Sequence, residues 1–387
     1  MKVLKFGGSS LADMEKIKRV AENIKQKLKT DKKLIVVASA MGKTTNELIA
    51  KMNETGMQIN RRELDQLLAT GEMQSVALLA NALYNMGVGA KSLSGWQAGI
   101  KTNNIHTDAQ IKNIDSKKLE KELSENDVLL VAGFQGIFSG EITTLGRGGS
   151  DTTAVALAAK LKCPCEIYTD VDGVYSVDPK IKKDAKKFSR LSYDQMITMS
   201  TCGAKVLEKR CSEIAKKYNV DLYIGKSLET RKAGTKIVSE AKNKMKNGIN
   251  SIAVRSNFGI IKIYANDRDE LNQINKNLER LNCEKFSCRK YKNGAIISAY
   301  FDKGQIGAVE STFKNNVKRV KTGFSKVSLI GCETKEDKLK ALNQLKNLKK
   351  DEIFLNTLKQ GRDFISFAIE EKNDYNVVSK LSNQFEI

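Results

Sequence analysis

The stretch Leu145-Gly146-Arg147-Gly148-Gly149-Ser150-Asp151 places an arginine inside a glycine turn, directly before an apolar helical run at 154–159. Glycine lets backbone amides approach an anion because no Cβ stands in the way. The start of a helix adds free N–H groups and the positive end of its dipole. Arginine adds a planar, two-pronged donor for a carboxylate or phosphate. This stretch therefore predicts an anion-binding turn.

Around this turn, residues 1–245 alternate short apolar runs with longer helical patterns. This alternation predicts an α/β domain whose largely parallel central sheet is covered by helices on both faces. The strands are expected at 3–6, 34–38, 128–132 and 166–169, and the helices at 14–28, 71–86 and 152–161.

The pattern changes after the polar stretch 240–250, which we interpret as a domain boundary. From there, strand and helix signals recur in an order that indicates two βαββαβ units of α+β, ferredoxin-like type. We place these units at 246–325 and 326–387. The strands are expected at 260–264, 295–300, 326–330, 353–355 and 364–369, and the helices at 271–281, 306–313, 339–348 and 375–381.

Composition and charge argue against several classes of protein. The 387-residue chain carries 66 Lys and Arg against 45 Asp and Glu, a net charge of +21, yet only 6% of its residues are aromatic. Nucleic-acid binders concentrate arginine and interleave aromatics, so we expect no nucleic-acid partner. There is no apolar run of ~20 residues, and the N-terminus is too short and polar for a secretory signal. We therefore expect a cytoplasmic protein with no membrane association.

Cysteine and histidine usage narrows the chemistry further. The seven cysteines show no C-x-x-C spacing, so neither a disulfide framework nor a zinc site is expected. The single histidine, His106, lies in a polar segment and is expected to be exposed. One histidine excludes paired histidine ligands and makes a Ser-His-Asp system improbable. We expect no metal site built from protein side chains.

Three further segments have both a functional and a purely structural interpretation. Lys5-Phe6-Gly7-Gly8 puts an ammonium beside exposed amides, which suits phosphates, but it also suits a tight turn with a surface lysine. In Ser39-Ala40-Met41-Gly42-Lys43-Thr44-Thr45-Asn46-Glu47, Thr44 and Glu47 have the spacing of a capping box, which is the structural interpretation. Thr45 remains available for a bound ligand. Glu72, at an expected helix start, either caps that helix or pairs with a substrate ammonium.

Asp151 has the same two interpretations as Glu72, because an acid at a helix start is a good cap. The segment 168–180 combines turn signals with hydroxyl, acidic and basic side chains, so it predicts either plain turns or a ledge for a nucleotide.

Taken in order, these segments resemble the aspartokinases of the amino acid kinase family. The resemblance is carried by Lys5-Phe6-Gly7-Gly8, Ser39-Ala40-Met41-Gly42, Gly71-Glu72, Ser94-Gly95-Trp96-Gln97-Ala98-Gly99, Gly133-Phe134-Gln135-Gly136, the 145–151 turn, residues 169–179 and Gly203-Ala204-Lys205-Val206-Leu207. It implies a three-layer catalytic domain at 1–245, and it implies that the C-terminal repeats are tandem ACT units.

The resemblance also implies an activity: ATP-dependent phosphorylation of the L-aspartate β-carboxylate, the first step of lysine, threonine and methionine biosynthesis. It implies a homo-oligomer assembled through the ACT units, with Mg²⁺ carried by ATP. Lys5 and Asp151 would be catalytic. Aspartate would be bound by Thr45, Glu72, Arg147, Gly148 and Gly149, and ATP by Lys5, Phe6, Gly7, Gly8, Ser150, Thr169, Asp170, Tyr175, Asp178, Lys180 and Lys205.

Two departures from the family pattern stand out. Glu208-Lys209 replaces a usual His-Pro pair, and the loops at 265–270 and 331–335 lack the Pro-Gly that usually precedes each ACT helix. We therefore predict weak or absent feedback inhibition by lysine or threonine. The main alternative is an inactive amino-acid sensor, which should have lost the charged groups Lys5, Glu72, Arg147 and Asp151. All four are present.

Overall fold

The computed structural model describes residues 1–227, 233–239, 248–292, 294–348 and 354–387. Internal contacts divide the chain into two compact units. The first unit contains the described residues of 1–174, 187–197 and 205–245, and the second those of 175–186, 198–204 and 246–387. Most of the expected boundary at 240–250 lies outside the described residues, and the division into three domains stays a prediction.

Strands and helices alternate along the first part of the chain. In order they are β1 (Lys2–Phe6), α1 (Met14–Lys27), β2 (Leu34–Ala38), α2 (Thr44–Glu54), α3 (Arg61–Tyr84), β3 (Ala90–Leu93), β4 (Ile100–Thr102), β5 (Ile111–Ile114), α4 (Ser116–Glu125), β6 (Val128–Ala132), β7 (Gln135–Phe138), β8 (Glu141–Thr144), α5 (Gly149–Leu161), β9 (Cys165–Thr169), β10 (Arg190–Ser192), α6 (Tyr193–Cys202), α7 (Lys209–Tyr218), β11 (Leu222–Lys226) and β12 (Thr235–Val238).

The central sheet of the first unit has the described strand order β10-β12-β11-β9-β1-β2-β6-β3. All its neighbouring pairs are parallel except β11 and β12. The five residues of β2, like those of β6, are all buried, as expected for parallel strands covered on both faces. The predicted α/β fold with a largely parallel central sheet is confirmed.

Alternation along β1 sends neighbouring side chains to opposite faces of this sheet. Leu4 and Phe6 pack in the core formed with α1 and α3. Lys5 points to the other face, where α5 packs on β1, β2 and β9. The sheet therefore forms the middle of three layers, and Lys5 lies beside α5.

One expectation about local structure was wrong, and one strand was not anticipated. The helix expected to start at Gly71 begins ten residues earlier, at Arg61. Gly71 lies in the middle of this helix, where it packs tightly against the segment after β2: a Cβ there would lie 2.9 Å from the Cβ of Ala40. The glycine turn also follows a strand that the sequence does not reveal, since β8 is short and polar. β8 belongs to a second sheet with the described order β5-β4-β7-β8.

The second unit is built on one antiparallel sheet with the described order β14-β15-β13-β16-β18-β17. Its helices and strands are β13 (Ser251–Ala265), α8 (Arg268–Arg280), β14 (Glu284–Tyr291), β15 (Gly294–Asp302), α9 (Ile306–Thr312), β16 (Val317–Ile330), α10 (Lys335–Asn347), β17 (Phe354–Gln360), β18 (Phe364–Glu370) and α11 (Asp374–Gln384).

Each repeat in this unit contributes a long first strand, a helix, two further strands and a second helix. The long first strands, β13 and β16, pair with each other antiparallel and join the repeats into one sheet. The fourth strand expected in the first repeat is thus the first strand of the second, and the predicted division at 325/326 falls inside β16.

Candidate active site

A cavity of about 580 Å³ opens in the first unit where the carboxyl ends of β1 and β2 approach the glycine turn. Many of the residues singled out from the sequence line this one cavity. They are Lys5, Gly8, Thr45, Glu72, Arg147, Gly148, Gly149, Ser150 and Asp151.

The Lys5 ammonium is fixed at the inner wall of the cavity. Lys5 is only 7% exposed, and its Nζ lies 2.6 Å from the Oδ1 of Asp151 in the first turn of α5. A carboxylate at that position also complements the helix dipole. Asp151 thus holds the Lys5 ammonium beside the free N–H groups of a helix start, which is an arrangement suited to a phosphoryl oxygen.

The glycine turn adopts a conformation that only glycine accepts easily. Gly146 and Gly148 have φ values of +71° and +66°, in the left-handed region. A Cβ on Gly148 would lie 2.1 Å from the Cγ of Glu208, so the turn packs directly on the residue that replaces the family's histidine. The turn leaves Arg147 exposed at the cavity.

Glu72 carries a buried carboxylate with one oxygen unused. Glu72 is 4% exposed, and its Oε1 accepts a hydrogen bond from the backbone N–H of Ala40 at 3.1 Å. Among the described residues its Oε2 has no hydrogen-bond partner. Burial raises the pKa of Glu72 to about 8, against the weaker effect of the Ala40 hydrogen bond. The carboxylate is suited to receive a cationic ligand, and the capping role considered from the sequence is wrong because Glu72 lies mid-helix.

The Lys5-Phe6-Gly7-Gly8 segment contributes mainly through Lys5 and backbone. The Phe6 ring is buried and stacks on Tyr168 with a centroid distance of 5.2 Å. Gly7 donates its N–H to the carbonyl of Tyr168 at 3.2 Å. Gly8 opens a short 3-10 helix, and a Cβ there would lie 2.6 Å from the carbonyl oxygen of Ala40.

The other residues expected to bind the nucleotide do not line this cavity. Thr169, Asp170 and Lys205 belong to the first unit, and Thr169 donates its hydroxyl to Asp170 at 2.9 Å. By contrast, Tyr175, Asp178 and Lys180 belong to the second unit. Their roles toward ATP stay a prediction.

The sequence does not reveal Asp65, a fully buried acid that contacts residues of the cavity wall. Its partner His106 was expected in a different environment. His106, expected to be exposed, is half-buried, with its Nδ1 2.8 Å from the Oδ2 of Asp65. Asp65 also binds Thr107 and Thr144, which both line the cavity. A single acid within a long helix gives no signal of this kind, because its partners lie 41 to 79 residues away.

No cluster of three or more potential metal ligands occurs among the described residues. All seven cysteines are described and are free thiols. No helix in the described part of the chain is long and apolar enough to span a membrane.

Comparison with known proteins assigns the chain to a class. The profile of the amino acid kinase family matches residues 1–226. An aspartokinase of Geobacillus stearothermophilus is 48% identical over 62% of this chain and 59% of its own length. One from Pseudomonas aeruginosa is 34% identical over 100% of this chain and 97% of its own length. The chain belongs to the amino acid kinase family.

The solved structures agree on the fold. E. coli aspartokinase III, in complex with aspartate and ADP, superimposes with a TM-score of 0.82 at 22% identity, covering 99% of both chains. The Geobacillus and Pseudomonas relatives both carry the name aspartokinase. For the Geobacillus relative, however, the chain spans only about six-tenths of its length.

Proposed function

We propose that this protein is an aspartokinase, which transfers the γ-phosphoryl group of ATP to the β-carboxylate of L-aspartate and forms 4-phospho-L-aspartate. This reaction is the first step of lysine, threonine and methionine biosynthesis. The aspartokinase relatives support the reaction, and E. coli aspartokinase III, which shares the fold, was solved with aspartate and ADP.

The observation that carries the proposal is the pairing of opposite charges within one cavity. An α-amino acid needs an anionic partner for its ammonium and a cationic partner for its α-carboxylate. Glu72 supplies a buried carboxylate oxygen with no described partner, and Arg147 supplies an exposed guanidinium on the same cavity lining. A cavity built only for a nucleoside phosphate has no use for Glu72.

The chemistry requires no base. The aspartate side chain, with pKa ≈ 3.9, is ionised at neutral pH, so its β-carboxylate can attack the γ-phosphorus directly while ADP leaves. Catalysis then consists of positioning and of neutralising charge on the transferred group. Lys5 neutralises that charge and Asp151 orients Lys5, as their 2.6 Å ion pair allows. Thr45 holds the reacting end of aspartate.

Backbone groups complete the proposed site. Gly148 and Gly149 line the pocket for the substrate carboxylate held by Arg147. The N–H of Gly149 is donated to the carbonyl of Gly146 at 3.0 Å, so Gly149 contributes by leaving room for the ligand. The helix start at Ser150 and Gly8 cradle the phosphates. Phe6 and Gly7 support this edge of the nucleotide site, since Gly7 donates its N–H to the carbonyl of Tyr168 and the Phe6 carbonyl accepts the N–H of Ser39. Mg²⁺ arrives as the ATP complex. The remaining nucleotide contacts are assigned to Thr169, Asp170, Tyr175, Asp178, Lys180 and Lys205.

Assembly and location follow from the resemblance alone. We expect a homodimer formed through the C-terminal repeats and a cytoplasmic enzyme without nucleic-acid or membrane partners. Size measurement of the purified protein in solution would test the first of these expectations.

An ATP-dependent hydroxamate assay tests the proposed function, because hydroxylamine traps an acyl phosphate. The assay should give product with L-aspartate and little with L-glutamate. Arg147→Ala should lower kcat/KM for aspartate by about 10–100-fold, since a hydrogen bond to a charged group contributes about 1.5–3 kcal/mol.

The matched control is Arg19→Ala, which removes an exposed arginine from α1 and should leave the rate unchanged. No aspartate-dependent product from the parent protein would refute the proposed activity. A parent-like rate in Arg147→Ala would refute only the role given to Arg147.

A further inference from the structure

Asp65 occupies a position on α3 from which it supports the cavity without touching it. It is 0% exposed and does not line the cavity. It lies seven residues before Glu72, which places both carboxylates on one face of the helix. An acid so deeply buried is retained at a high desolvation penalty unless its hydrogen bonds are satisfied.

Those hydrogen bonds all come from the segments that build the glycine turn. Asp65 accepts the backbone N–H of Thr107 at 3.1 Å with both oxygens. It also accepts the hydroxyl of Thr144 and meets the Nδ1 of His106 at 2.8 Å. Because a carboxylate only accepts, Nδ1 carries the hydrogen.

Thr107 is held in a conformation that its side chain disfavours. Its φ is +68°, and a β-branched residue in the left-handed region is an outlier that its surroundings must enforce. The Thr107 carbonyl oxygen would lie 3.1 Å from a Cβ on Gly146. The strained residue is therefore packed directly against the base of the glycine turn.

Thr144 reaches the same turn along the chain. It ends β8, and only Leu145 and Gly146 separate it from Arg147. Its carbonyl accepts the N–H of Ala109 at 2.8 Å, which ties β8 to the segment after Thr107. Asp65 thus holds both the strand that leads into the Arg147 turn and the segment that packs against it.

A second brace comes from α7 on the opposite side. The Nη1 of Arg210 donates to the carbonyl of Leu145 at 3.0 Å. Its Nη2 lies 3.0 Å from the Oδ1 of Asp108. Glycine allows a turn many backbone conformations. The conformation of this turn is therefore held by the hydrogen bonds of Asp65 and of Arg210.

We propose that Asp65 is a positioning residue that sets the place of Arg147 by holding Thr107 and Thr144. This inference rests on the proposed function for its kinetic consequence, because the ligand of Arg147 is taken to be the α-carboxylate of aspartate. Asp65 acts through the turn and contacts neither substrate.

The test is Asp65→Asn, which keeps the size of the side chain but replaces one of its two acceptor oxygens by a donor amide group. We expect KM for aspartate to rise about ten-fold, the equivalent of one net hydrogen bond, with kcat and KM for ATP within about two-fold. Hydrogen exchange of the free protein should be faster at the amides of 145–149.

Rescue separates positioning from general loss of stability. In Asp65→Asn/Thr107→Gly the glycine adopts the +68° φ without a Cβ penalty, so part of the aspartate affinity should return. The control is Ser75→Ala on the same helix, which removes a buried hydroxyl that donates to the carbonyl of Gly71 at 3.2 Å. KM for aspartate should be unchanged in this variant, with Tm measured alongside.

Equal rises in KM for aspartate and ATP would overturn the proposal, as would unchanged exchange at 145–149. If Asp65→Asn does not fold, Thr144→Val removes one of the same hydrogen bonds and should shift KM in the same direction by a smaller factor. Exchange is measured without substrate, so it decides the positioning role even if the parent fails to phosphorylate aspartate.

Discussion

Each unit of this molecule buries a lysine, and the two lysines are used in opposite ways. Lys5 of the first unit pairs with Asp151 and lines a cavity whose other carboxylate, Glu72, has an oxygen without a described partner. Lys326 of the second unit is 1% exposed. It pairs with Glu284 at 2.6 Å, and the other oxygen of Glu284 pairs with Lys359 at 2.9 Å.

The difference shows how buried charge separates a site from a scaffold. In the second unit both carboxylate oxygens of Glu284 are occupied, so the network needs no ligand. In the first unit Glu72 is buried at a desolvation penalty that is incompletely offset until a cationic ligand arrives, and its pKa is raised for that reason. A buried acid with a raised pKa and an unsatisfied oxygen beside a cavity is a physical marker of a binding site.

Replacing the two lysines gives the largest contrast. Lys5→Met should lower kcat about 10³-fold, the upper range for loss of one preorganised group that stabilises transition-state charge, while the protein remains folded. Lys326→Met should change kcat by less than about two-fold and reduce the free energy of unfolding by about 1–3 kcal/mol, less than for a fully orphaned charge because Lys359 remains.

Hydroxamate kinetics and urea unfolding measure the two effects. A large loss of activity in Lys326→Met, or near-parent activity in Lys5→Met, would erase the distinction between site and scaffold.

Replacing the two carboxylates should give opposite effects on stability. Burial raises the pKa of Glu72 to about 8. The folded protein thus holds a proton that the unfolded chain releases near pH 4.5, and stability falls as pH rises between these values. Glu72→Gln should therefore be more stable than the parent at pH 8, by up to a few kcal/mol at ~1.4 kcal/mol per pKa unit, with no gain near pH 4.5.

For Glu284 burial favours the neutral form, but the charges of Lys326 and Lys359 together outweigh burial and the pKa is lowered. Its contribution to stability is present above the unfolded pKa and is lost as pH falls through the folded one. Glu284→Gln should accordingly destabilise at pH 7–8. Unfolding measured from pH 4 to 8 tests both signs. Glu72→Gln should also raise KM for aspartate about 10-fold or more, which Glu284→Gln should not.

A smaller contrast compares two left-handed glycines. Gly148 has φ +66° and a Cβ there would meet Glu208 at 2.1 Å, whereas Gly323 of the second unit has φ +85° and open space around it. Gly323→Ala should cost only the backbone strain, about 1 kcal/mol. Gly148→Ala should add a displacement of the turn and lower kcat/KM for aspartate about 5–10-fold. Equal kinetics in the two variants would show that the turn tolerates displacement.

How far the sequence predicts this site depends on whether a residue acts locally. Lys5, the glycine turn and the buried strands are visible because strand periodicity and glycine spacing are local signals. The expected helix start at Gly71 was wrong because Gly71 serves packing against Ala40. Asp65 and His106 could not be recognised, since their contacts depend on the tertiary arrangement of α3 and distant loops.

The smallest expected effect concerns regulation through the second unit. The helix starts that would present amides to an effector amino acid are already occupied by the protein's own side chains. Asp267 accepts the N–H of Glu270, which in turn accepts the N–H of Asn266 at 2.6 Å. Thr334 and Asp337 form a complete capping box at the start of α10.

Because these donors are satisfied, an effector would have to displace existing hydrogen bonds in exchange for its own. We expect lysine or threonine, each at about 10 mM, to change the rate with aspartate by less than about two-fold, below the five-fold or greater change of ordinary allosteric coupling. Initial rates at sub-saturating aspartate measure this. Asp267→Ala frees the amide of Glu270 and serves as the comparison variant, in which any inhibition should be stronger than in the parent. Strong inhibition of the parent itself would show that the second unit, like the first, holds an unsatisfied ligand site.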